Sequence, residues 1–539
     1  MACVERNLIK AELKQMKEQG CDTQEIEIRI LESINNENCE DSEFVSLYEE
    51  LTALPIDPNF AFDEPSTLEK IKALRPDAQR QFERTRNGVP LDSNTLYDCV
   101  YGAWLGRAAG CALGKPVEGW PKARIDKYLK EAGVLPLDNY LPYIKEQMPR
   151  IHIPSSRGNI EYMDRDDDMD FTILGLLALE QAGADISARN IANMWISKMP
   201  FGKLYTAENA AYRNFTQSIW PPNSAAHRNP FREWIGAQIR ADIFGYVAPG
   251  LPERAAQLAF TDASISHEKN GIYGEMFVAA MIATAFITDK AEEIIAAGLG
   301  EIPANCRLAK AVRDTLCWCQ QEPDWEVAWE KIVEHYGHYH GVHTINNAAL
   351  VVMGVYYGCK DFELGIVSSV RAGWDTDCNG ATVGSILGII FGAKALPNKW
   401  VGVLNNRLMS AVSGETDNQI SDLAQRTVEL IDTIADGPKK ASDRPLEWDS
   451  GGLWELETGW GAQRLDFTAG TIEFKNDEFG GAYSLTASNF QNPKLHFSFS
   501  IDKGDWDFEV DFEGSINGDI LEGIFYPGET PVQGKKILP

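Results

Sequence analysis

Negative charge is concentrated in one short stretch, YMDRDDDMD at residues 162–170, and an apolar run follows it at once. The stretch holds one cation, Arg165, and five aspartates: Asp164, Asp166, Asp167, Asp168 and Asp170. One aspartate is enough to cap a helix N-terminus. Unit charges about 4 Å apart repel by about 1 kcal/mol in water and about 4 kcal/mol at an effective dielectric constant near 20. Several carboxylates beside an apolar helix therefore favour a bound cation, with helix capping as the alternative.

The spacing excludes an EF-hand. A calcium loop that began at Asp164 would need glycine at its sixth position and glutamate at its twelfth. The chain has Met169 and Gly175 at those positions.

A second acidic pair, Asp375 and Asp377, lies in RAGWDTDCNGATVGSILGIIFG at residues 371–392, just before a run of small and apolar residues. Alone, such a pair is typical of a helix cap. Two aspartate-rich helix N-termini in one helical domain can, however, converge on hard cations such as Mg²⁺, Mn²⁺ or Ca²⁺. Two ions about 3.5–4 Å apart can then bind and activate water together.

The elements that must position these aspartates are predicted to be mainly helical. Residues 93–437 contain apolar-rich helical segments separated by Gly, Pro and Asn loops, and small residues line GEMFVAAMIATAF and GATVGSILGIIFG. Because small residues let helix backbones approach closely, we expect a compact all-α core. Residues 1–92 are predicted to form an N-terminal helical extension, since LIKAELKQMKEQG and DSEFVSLYEELTAL have helical spacing.

The hydrophobic period changes near the end of the chain. ADGPKKASDRP, near residues 435–445, has the composition of a linker. Beyond it, LHFSFSI (495–501) and WDFEVDF (506–512) alternate apolar and polar residues, which is typical of half-buried strands. The sequence therefore predicts a small antiparallel β module over residues 446–539.

Composition narrows the possible partners. The chain has 539 residues and a formal net charge of −29, so a nucleic-acid backbone or an anionic membrane is not expected as its partner. Its start lacks the features of a secretion signal, and no run of about 18 apolar residues occurs. Ten cysteines are sparse for this length and are expected to be reduced. A cytoplasmic protein is predicted, and its oligomeric state is not indicated.

Five segments resemble the motifs of the ADP-ribosylglycohydrolase family, also called the dinitrogenase-reductase-activating glycohydrolase family, and they follow one another along the chain in the order of the family's motifs. Asp166–Met169 is similar to the family's Thr-Asp-Asp-Thr motif, and Asp375–Cys378 to its late Asp-x-Asp-Thr/Ser motif. The other three are GAWLGRAAGCALGKPVEGW (102–120), GAQIRADIFG (236–245) and ISHEKNGIYGEMFVAAMIA (265–283).

The resemblance implies hydrolysis of the bond between C1″ of a distal ribose and its leaving group, in small-molecule or protein-linked ADP-ribose. It implies Mg²⁺ or Mn²⁺ as cofactor, as two ions. Glu118 is the expected general acid/base or ribose-orienting residue, with Asp168 as a competing water-activating base. Six residues are expected to hold the metal: Asp166, Asp167, Asp168, Asp375, Asp377 and Cys378.

Three positions depart from the family pattern. Asp166 replaces a hydroxyl residue and keeps an oxygen donor. Cys378 also replaces a hydroxyl, and because sulfur is a poorer ligand for a hard cation, weaker or water-assisted binding of the second ion is expected there. Cys111 stands where the family carries aspartate, whereas Glu118 stands where the family has its functional glutamate.

The resemblance also suggests substrate contacts. The segment before the helix at about residue 274 can present free amides to a diphosphate, and Tyr273 can stack on adenine. Trp374, which stands beside the late motif, can form one wall of the ribose site. The expected substrate-binding residues are His267, Asn270, Gly271, Tyr273, Gly274 and Trp374. Structural roles are the alternative for each of them.

Two other functions stay open at this point. One is a nucleosidase-like N-glycoside hydrolase on the same scaffold, because the metal motifs specify ribose chemistry and not the leaving group. The other is a non-catalytic ADP-ribose-binding or interaction protein, which Cys111 and Cys378 favour if they mark a decayed site.

Overall fold

A computed structural model describes residues 4–36, 39–86 and 88–435, and eight further strands between residues 453 and 538. Residues 436–452, which include nearly all of the predicted linker, lie outside the described part. The chain divides into two compact units, residues 1–438 and 439–539. The helices before residue 93 belong to the first unit, and the predicted boundary at residue 92 stays a prediction.

Four helices precede the core: α1 (Val4–Glu18), α2 (Gln24–Asn35), α3 (Asp41–Thr52) and α4 (Leu68–Leu74). In α3, Phe44, Leu47 and Leu51 recur at helical spacing and are buried. They pack with apolar residues of α1 and α2, among them Ile9 and Ile30, into a separate small core. A short ladder of β1 (Thr85–Arg86) and β2 (Val89–Pro90) leads into the main core.

The main core is all-α, as the sequence predicts. Its first helices are α5 (Ser93–Gly114), α6 (Lys122–Glu131), α7 (Asp167–Ala182), α8 (Ala188–Lys198), α9 (Thr206–Phe215), α10 (Asn223–Ala226), α11 (Asp242–Tyr246) and α12 (Pro252–Ala263). The rest are α13 (Asn270–Ala285), α14 (Ala291–Leu299), α15 (Arg307–Gln321), α16 (Trp325–Tyr336), α17 (Thr344–Gly358), α18 (Phe362–Arg371), α19 (Thr376–Phe391), α20 (Asn398–Val401) and α21 (Ile420–Ala435). A two-stranded ladder, β3 (Arg407–Met409) with β4 (Asp417–Gln419), precedes α21.

Helices α5 and α19 run antiparallel and touch through their backbones. Three glycine pairs meet across the contact: Gly102 with Gly388, Gly106 with Gly384, and Gly110 with Gly380. A Cβ atom on Gly106 would lie only 2.1 Å from the Gly384 carbonyl oxygen, so no larger residue fits. At the end of this contact, Thr376 Oγ1 donates a hydrogen bond of 2.8 Å to the Gly114 carbonyl oxygen. The last turn of α5 is therefore held directly against the first turn of α19.

The second unit is the antiparallel β module that the sequence predicts. Its strands are β5 (Leu453–Thr458), β6 (Gly461–Asp466), β7 (Thr471–Phe474), β8 (Gly481–Gln491), β9 (Lys494–Asp502), β10 (Asp507–Asn517), β11 (Ile520–Tyr526) and β12 (Thr530–Leu538). Each strand pairs with its neighbours along the chain, and β12 pairs back with β5, so the sheet is closed. Alternate residues such as Val510 and Phe512 are buried inside it, as a period of two requires.

None of the helices within the described ranges combines the length and the hydropathy needed to cross a lipid bilayer.

The glycine contact gives a stability prediction. Gly106→Ala should lower the free energy of unfolding by about 2–3 kcal/mol, because its methyl group forces two helix backbones apart. Gly202→Ala is the matched control, because a Cβ at this position meets nothing within 4 Å. Its free energy of unfolding should stay within about 0.5 kcal/mol of the wild-type value. Chemical denaturation followed by far-ultraviolet circular dichroism compares the two. Equal stability of both variants would contradict the conclusion that the contact between α5 and α19 leaves no room for a side chain at residue 106.

Candidate active site

A cleft of about 550 Å³ opens in the main core, and acidic side chains from four separate segments line it. One comes from just beyond α5, several from the start of α7, one from α9, and two from the start of α19. The acidic residues in contact with the cleft are Glu118, Asp164, Asp166, Asp167, Asp168, Glu208, Asp375 and Asp377, of which Glu208 is paired with Arg240 at 2.6 Å. The structure thus brings both aspartate-rich helix N-termini, together with Glu118, to one place.

At the α7 end, the aspartates divide into two groups. Asp166 is the N-cap, and its Oδ1 accepts a hydrogen bond of 3.2 Å from the Asp168 backbone amide. Asp170 points away from the cleft, because its carboxylate pairs with Arg165 Nε at 2.7 Å and accepts from the Ala411 amide at 2.8 Å. Asp170 is therefore structural, and the other aspartates of the stretch remain free to face the cleft.

At the α19 end, the backbone is held without using the acidic side chains. The Asp375 amide and the Asn379 side chain both donate to Asn347 Oδ1, at 3.3 and 2.8 Å. Trp374, one residue earlier, has a φ of 65°, a left-handed conformation that turns the chain sharply into the helix. Asp375 makes no side-chain cap hydrogen bond to α19, so the usual capping role does not occupy its carboxylate.

Two groups of side chains have the compactness of metal ligand sets. One is Glu118, Asp375 and Asp377, and the other is Cys111, Asp166 and Asp168; in each, the potential ligand atoms lie within 4.8 Å of one another. Asp168 Oδ1 and Asp377 Oδ1 are buried, and within the described residues neither receives a hydrogen bond. Buried carboxylate oxygens without donors are costly unless a cation binds them. The donor set therefore fits divalent ions.

Charge repulsion strengthens this interpretation. Burial and the neighbouring carboxylates raise the pKa of Asp168 and of Asp377 well above the ordinary range. Glu118 is accessible from the cleft, yet the surrounding walls partly desolvate its carboxylate. Together with the charges of Asp166 and Asp167, this desolvation raises the pKa of Glu118 to about 7. The protein's own groups therefore leave the carboxylates incompletely neutralised.

Three cations of the protein lie beside the acidic groups, and one of them, Arg165, has its Nη1 4.0 Å from Asp167 Oδ1. Lys115 Nζ is 3.1 Å from Asp164 and 3.4 Å from Asp166. Arg107 is fully buried behind the floor, with Nη2 3.7 Å from Asp168 Oδ1, but its Nη1 pairs with Asp242 at 2.7 Å. Because Arg107 also pairs with Asp242, it neutralises only part of the negative charge of Asp168, and its main role is to hold the start of α7 in place.

The expected substrate residues of α13 do not reach the cleft. His267, Asn270, Gly271, Tyr273 and Gly274 are buried, and none of them lines it. His267 Nδ1 is 2.8 Å from Ser266 Oγ, and the Asn270 side chain donates to Glu233 at 3.1 Å.

The N-terminal segment explains why this turn is inaccessible. The Tyr273 hydroxyl donates to the Pro65 carbonyl oxygen, and the Lys269 amide donates to Ser66 Oγ at 3.2 Å. The chain before α4 therefore covers the first turn of α13 where free amides were expected.

Cys378 and Trp374 also lie outside the cleft lining. Cys378 is completely buried in the first turn of α19. Trp374 is half-buried, near Gly341, and its carbonyl oxygen accepts from the Gly119 amide at 2.8 Å. In this way Trp374 links the chain after Glu118 to the start of α19.

Other cleft residues were not anticipated from the sequence. Trp234 forms part of one wall and stacks on His340, with ring centroids 4.2 Å apart and planes 12° apart. Lys115, His152 and Tyr205 line the cleft as well. Lys115 alone had a local signal, since it lies between Cys111 and Glu118 in the glycine-rich motif.

The wall that carries Trp234 is tied to the N-terminal helices by buried charges. Glu233, next to Trp234, accepts from Gln15 at 3.0 Å and from Arg307 at 2.7 and 2.8 Å. Arg307 also pairs with Glu64 at 2.7 Å. Burial opposes ionisation of Glu233, but Arg307 and the polar groups around it hold its pKa well below the ordinary range. A charged network therefore joins residues before position 93 to the cleft wall.

Several known proteins are similar to this chain. A sequence model described as ADP-ribosylglycohydrolase matches residues 92–436. An uncharacterized protein from Archaeoglobus fulgidus is 27% identical over 317 residues, which span 56% of this chain and 90% of that protein. A solved structure titled "ADP-ribosylglycohydrolase-related protein complex" covers 63% of this chain and 99% of its own, with 19% identity and a TM-score of 0.42.

The buried network predicts a large effect of one substitution. Arg307→Met should lower the free energy of unfolding by about 3–5 kcal/mol, because Glu64 and Glu233 would stay buried without their cation. Arg313→Met, on the exposed face of the same helix, should cost less than about 1 kcal/mol. Urea denaturation of the two variants measures the difference. Similar losses would mean that the buried ion pairs do not hold the wall.

If divalent ions bind between these carboxylates, one substitution should have effects of opposite sign with and without metal. Asp377→Asn should raise the thermal midpoint in chelator, since it removes one of several repelling carboxylates. The same variant should lose most of the stabilisation that Mg²⁺ or Mn²⁺ gives the wild type, about 2.7 kcal/mol at a concentration 100 times the Kd.

Differential scanning calorimetry of wild type, Asp377→Asn and the exposed control Asp289→Asn tests both signs. The control should follow the wild type in each condition. Equal stabilisation of all three proteins by the metal would place the ion elsewhere.

Proposed function

This chain belongs to the ADP-ribosylglycohydrolase family, and from that premise we propose that it is a metal-dependent hydrolase that cleaves the C1″ glycosidic bond of an ADP-ribosyl or related ribosyl group. Membership in the family supports glycohydrolase activity in general. The metal requirement, the substrate and the roles of individual residues are our proposal.

The observation that carries the proposal is the convergence of the two acidic helix N-termini on one cleft. The buried oxygens Asp168 Oδ1 and Asp377 Oδ1, which receive no hydrogen bond from the described residues, face this convergence from opposite helices. A cleft of about 550 Å³ lies within the range of about 300–1,000 Å³ that is usual for small-molecule sites. Both the charge and the size thus suit a polar, nucleotide-like ligand.

The reaction benefits from the negative potential of the cleft. Glycoside cleavage passes through an oxocarbenium-like state, in which positive charge develops on the sugar. When bound, divalent ions supply Lewis-acid polarisation of water and ribose hydroxyls. Asp166, Asp167, Asp168, Asp375 and Asp377 would hold those ions, and their carboxylates lie where that positive charge is stabilised.

Glu118 is suited to move a proton. Its carboxyl group is accessible from the cleft, and its pKa of about 7 allows it to hold or release a proton near neutral pH. It can therefore protonate the leaving group or take a proton from the attacking water. Asp168 is the competing base, but its burial against Arg107 favours an anchoring role.

The walls favour a ligand that is partly aromatic. The ring of Trp234 lines the cleft, where it is held by stacking on His340, and it gives one wall an apolar aromatic surface on which a base or nicotinamide ring can pack. Lys115 adds a positive charge beside Asp164 and Asp166, within reach of an anionic part of the ligand.

The proposal predicts loss of turnover on neutral substitution of Glu118. Glu118→Gln should reduce kcat by about 10²–10⁴-fold, the usual contribution of a general acid or base. The exposed control Glu146→Gln should leave kcat unchanged. Release of ADP-ribose from ADP-ribosylated arginine and serine peptides, with Mg²⁺ or Mn²⁺ and with chelator, is the measurement.

The alternatives are separate outcomes of this assay. Cleavage of simple ribosides without release of ADP-ribose would identify a nucleosidase-like enzyme. ADP-ribose binding by calorimetry without turnover of any substrate would identify a binding protein. Metal-loaded protein that neither binds nor cleaves a ribosyl compound would refute the proposal.

A further inference from the structure

The two ligand sets differ in chemistry and in position, because Cys111 is buried beneath the cleft residues Asp166 and Asp168 and does not itself line the cleft. Glu118, Asp375 and Asp377 offer only oxygen, whereas the second set combines the Cys111 thiol with Asp166 and Asp168. A divalent ion that is bound through sulfur is selected differently from one bound through oxygen alone, since thiolate favours Zn²⁺ and similar ions and carboxylate favours Mg²⁺ and Mn²⁺.

The position of Cys111 is fixed by the backbone contact that precedes it. Gly110 packs on Gly380, where a Cβ would lie 1.9 Å from the Gly380 carbonyl oxygen, so the last turn of α5 cannot shift toward α19. Cys111 is completely buried and forms no disulfide. Its side chain is therefore presented to Asp166 and Asp168 by a rigid element.

The spacing suits one ion. The Cys111 Sγ and one oxygen each of Asp166 and Asp168 lie within 4.8 Å of one another. A tetrahedral Zn²⁺ with bonds of about 2.0–2.3 Å places its ligand atoms about 3.5 Å apart, so small side-chain rotations are enough to close the set.

A second observation points to a ligand at this position. Asp168 is only 4% exposed, and its Oδ1, which lies 3.7 Å from Arg107 Nη2, receives no hydrogen bond from any residue that the structure describes. Lys115 does not supply the missing partner, because its Nζ lies against Asp164 and the Oδ2 of Asp166. If Asp166 turns to an ion, Lys115 keeps Asp164 as its partner at 3.1 Å.

We propose that Cys111 is a metal ligand and that the cleft holds two unlike divalent ions. A thiophilic ion of the Zn²⁺ or Co²⁺ class binds at Cys111, Asp166 and Asp168. A hard ion, Mg²⁺ or Mn²⁺, binds at Asp375 and Asp377, beside Glu118. Binding of the thiophilic ion releases the Cys111 thiol proton to solvent. The inference rests on the metal centre of the proposed function, but not on turnover.

Cobalt spectroscopy tests the sulfur bond directly. The full-length, chelator-treated protein is loaded with Mg²⁺ and titrated with Co²⁺, and a sulfur-to-cobalt charge-transfer band should saturate at one Co²⁺ per chain. Cys111→Ser should lose this band, and its Zn²⁺ affinity should fall by at least about 10–100-fold, the loss seen when a mere supporting residue of a metal site is changed. The control Cys99→Ser changes a buried cysteine just over three turns earlier in α5 and should keep both the band and the Zn²⁺ affinity.

Two further variants separate the outcomes. Cys111→Asp should bind Zn²⁺ without the band, which shows that loss of the band does not reflect misfolding. Cys378→Ser should retain the band; if it alone loses the band, or if Cys111→Ser keeps it, the assignment of Cys111 is overturned. Absence of any band in the wild type overturns it as well.

The test is independent of the hydrolase proposal. A wild-type cobalt band without release of ADP-ribose would uphold the Cys111 ligand and reject the activity. Hydrolysis with Mg²⁺ and no cobalt band would uphold the activity and reject the mixed-metal centre.

Discussion

Repulsion among desolvated carboxylates is the constraint on which the rest of the core depends. Acidic side chains from the starts of α7 and α19 and from just beyond α5 share one cleft. Unit charges about 4 Å apart repel by about 4 kcal/mol at an effective dielectric constant near 20. Left free, the three segments would move apart. The packing of α5 against α19 opposes this, because separating the two helices would break the backbone contact and the hydrogen bond from Thr376 Oγ1 to the Gly114 carbonyl oxygen.

The same constraint explains the polar groups beneath the cleft. Arg107 reaches from α5 to the start of α7 and donates to the Asp168 carbonyl oxygen at 2.7 Å, which fixes the helix terminus through its backbone. Asn347 does the same for α19 through the Asp375 amide. Both helix ends are thus anchored by groups that leave the carboxylates available. A helix N-terminus also presents partial positive charge, which lowers the cost of collecting acids there.

Much of this arrangement follows from local patterns in the sequence. Periodicity alone predicts the helical core and the antiparallel module, and the spacing of Asp166–Asp168 and of Asp375 and Asp377 identifies the acidic groups. The α13 residues show where such reasoning stops. Asn270 and Tyr273 were expected in a loop before a helix, but they form the first turn of α13. The segment around Pro65 covers that turn, and nothing in the pattern of residues 53–67 indicates which surface it covers. Trp234 was missed for the same reason, since its place in the wall depends on contacts with distant residues.

The closed sheet of the second unit has one further consequence. An open sheet ends in strands whose amide and carbonyl groups are unpaired, and another chain can extend it by adding a strand. Here every described strand from β5 to β12 has a neighbour on both sides. A binding partner therefore cannot add a strand to the described sheet, and it would have to recognise the outward-facing side chains of this unit.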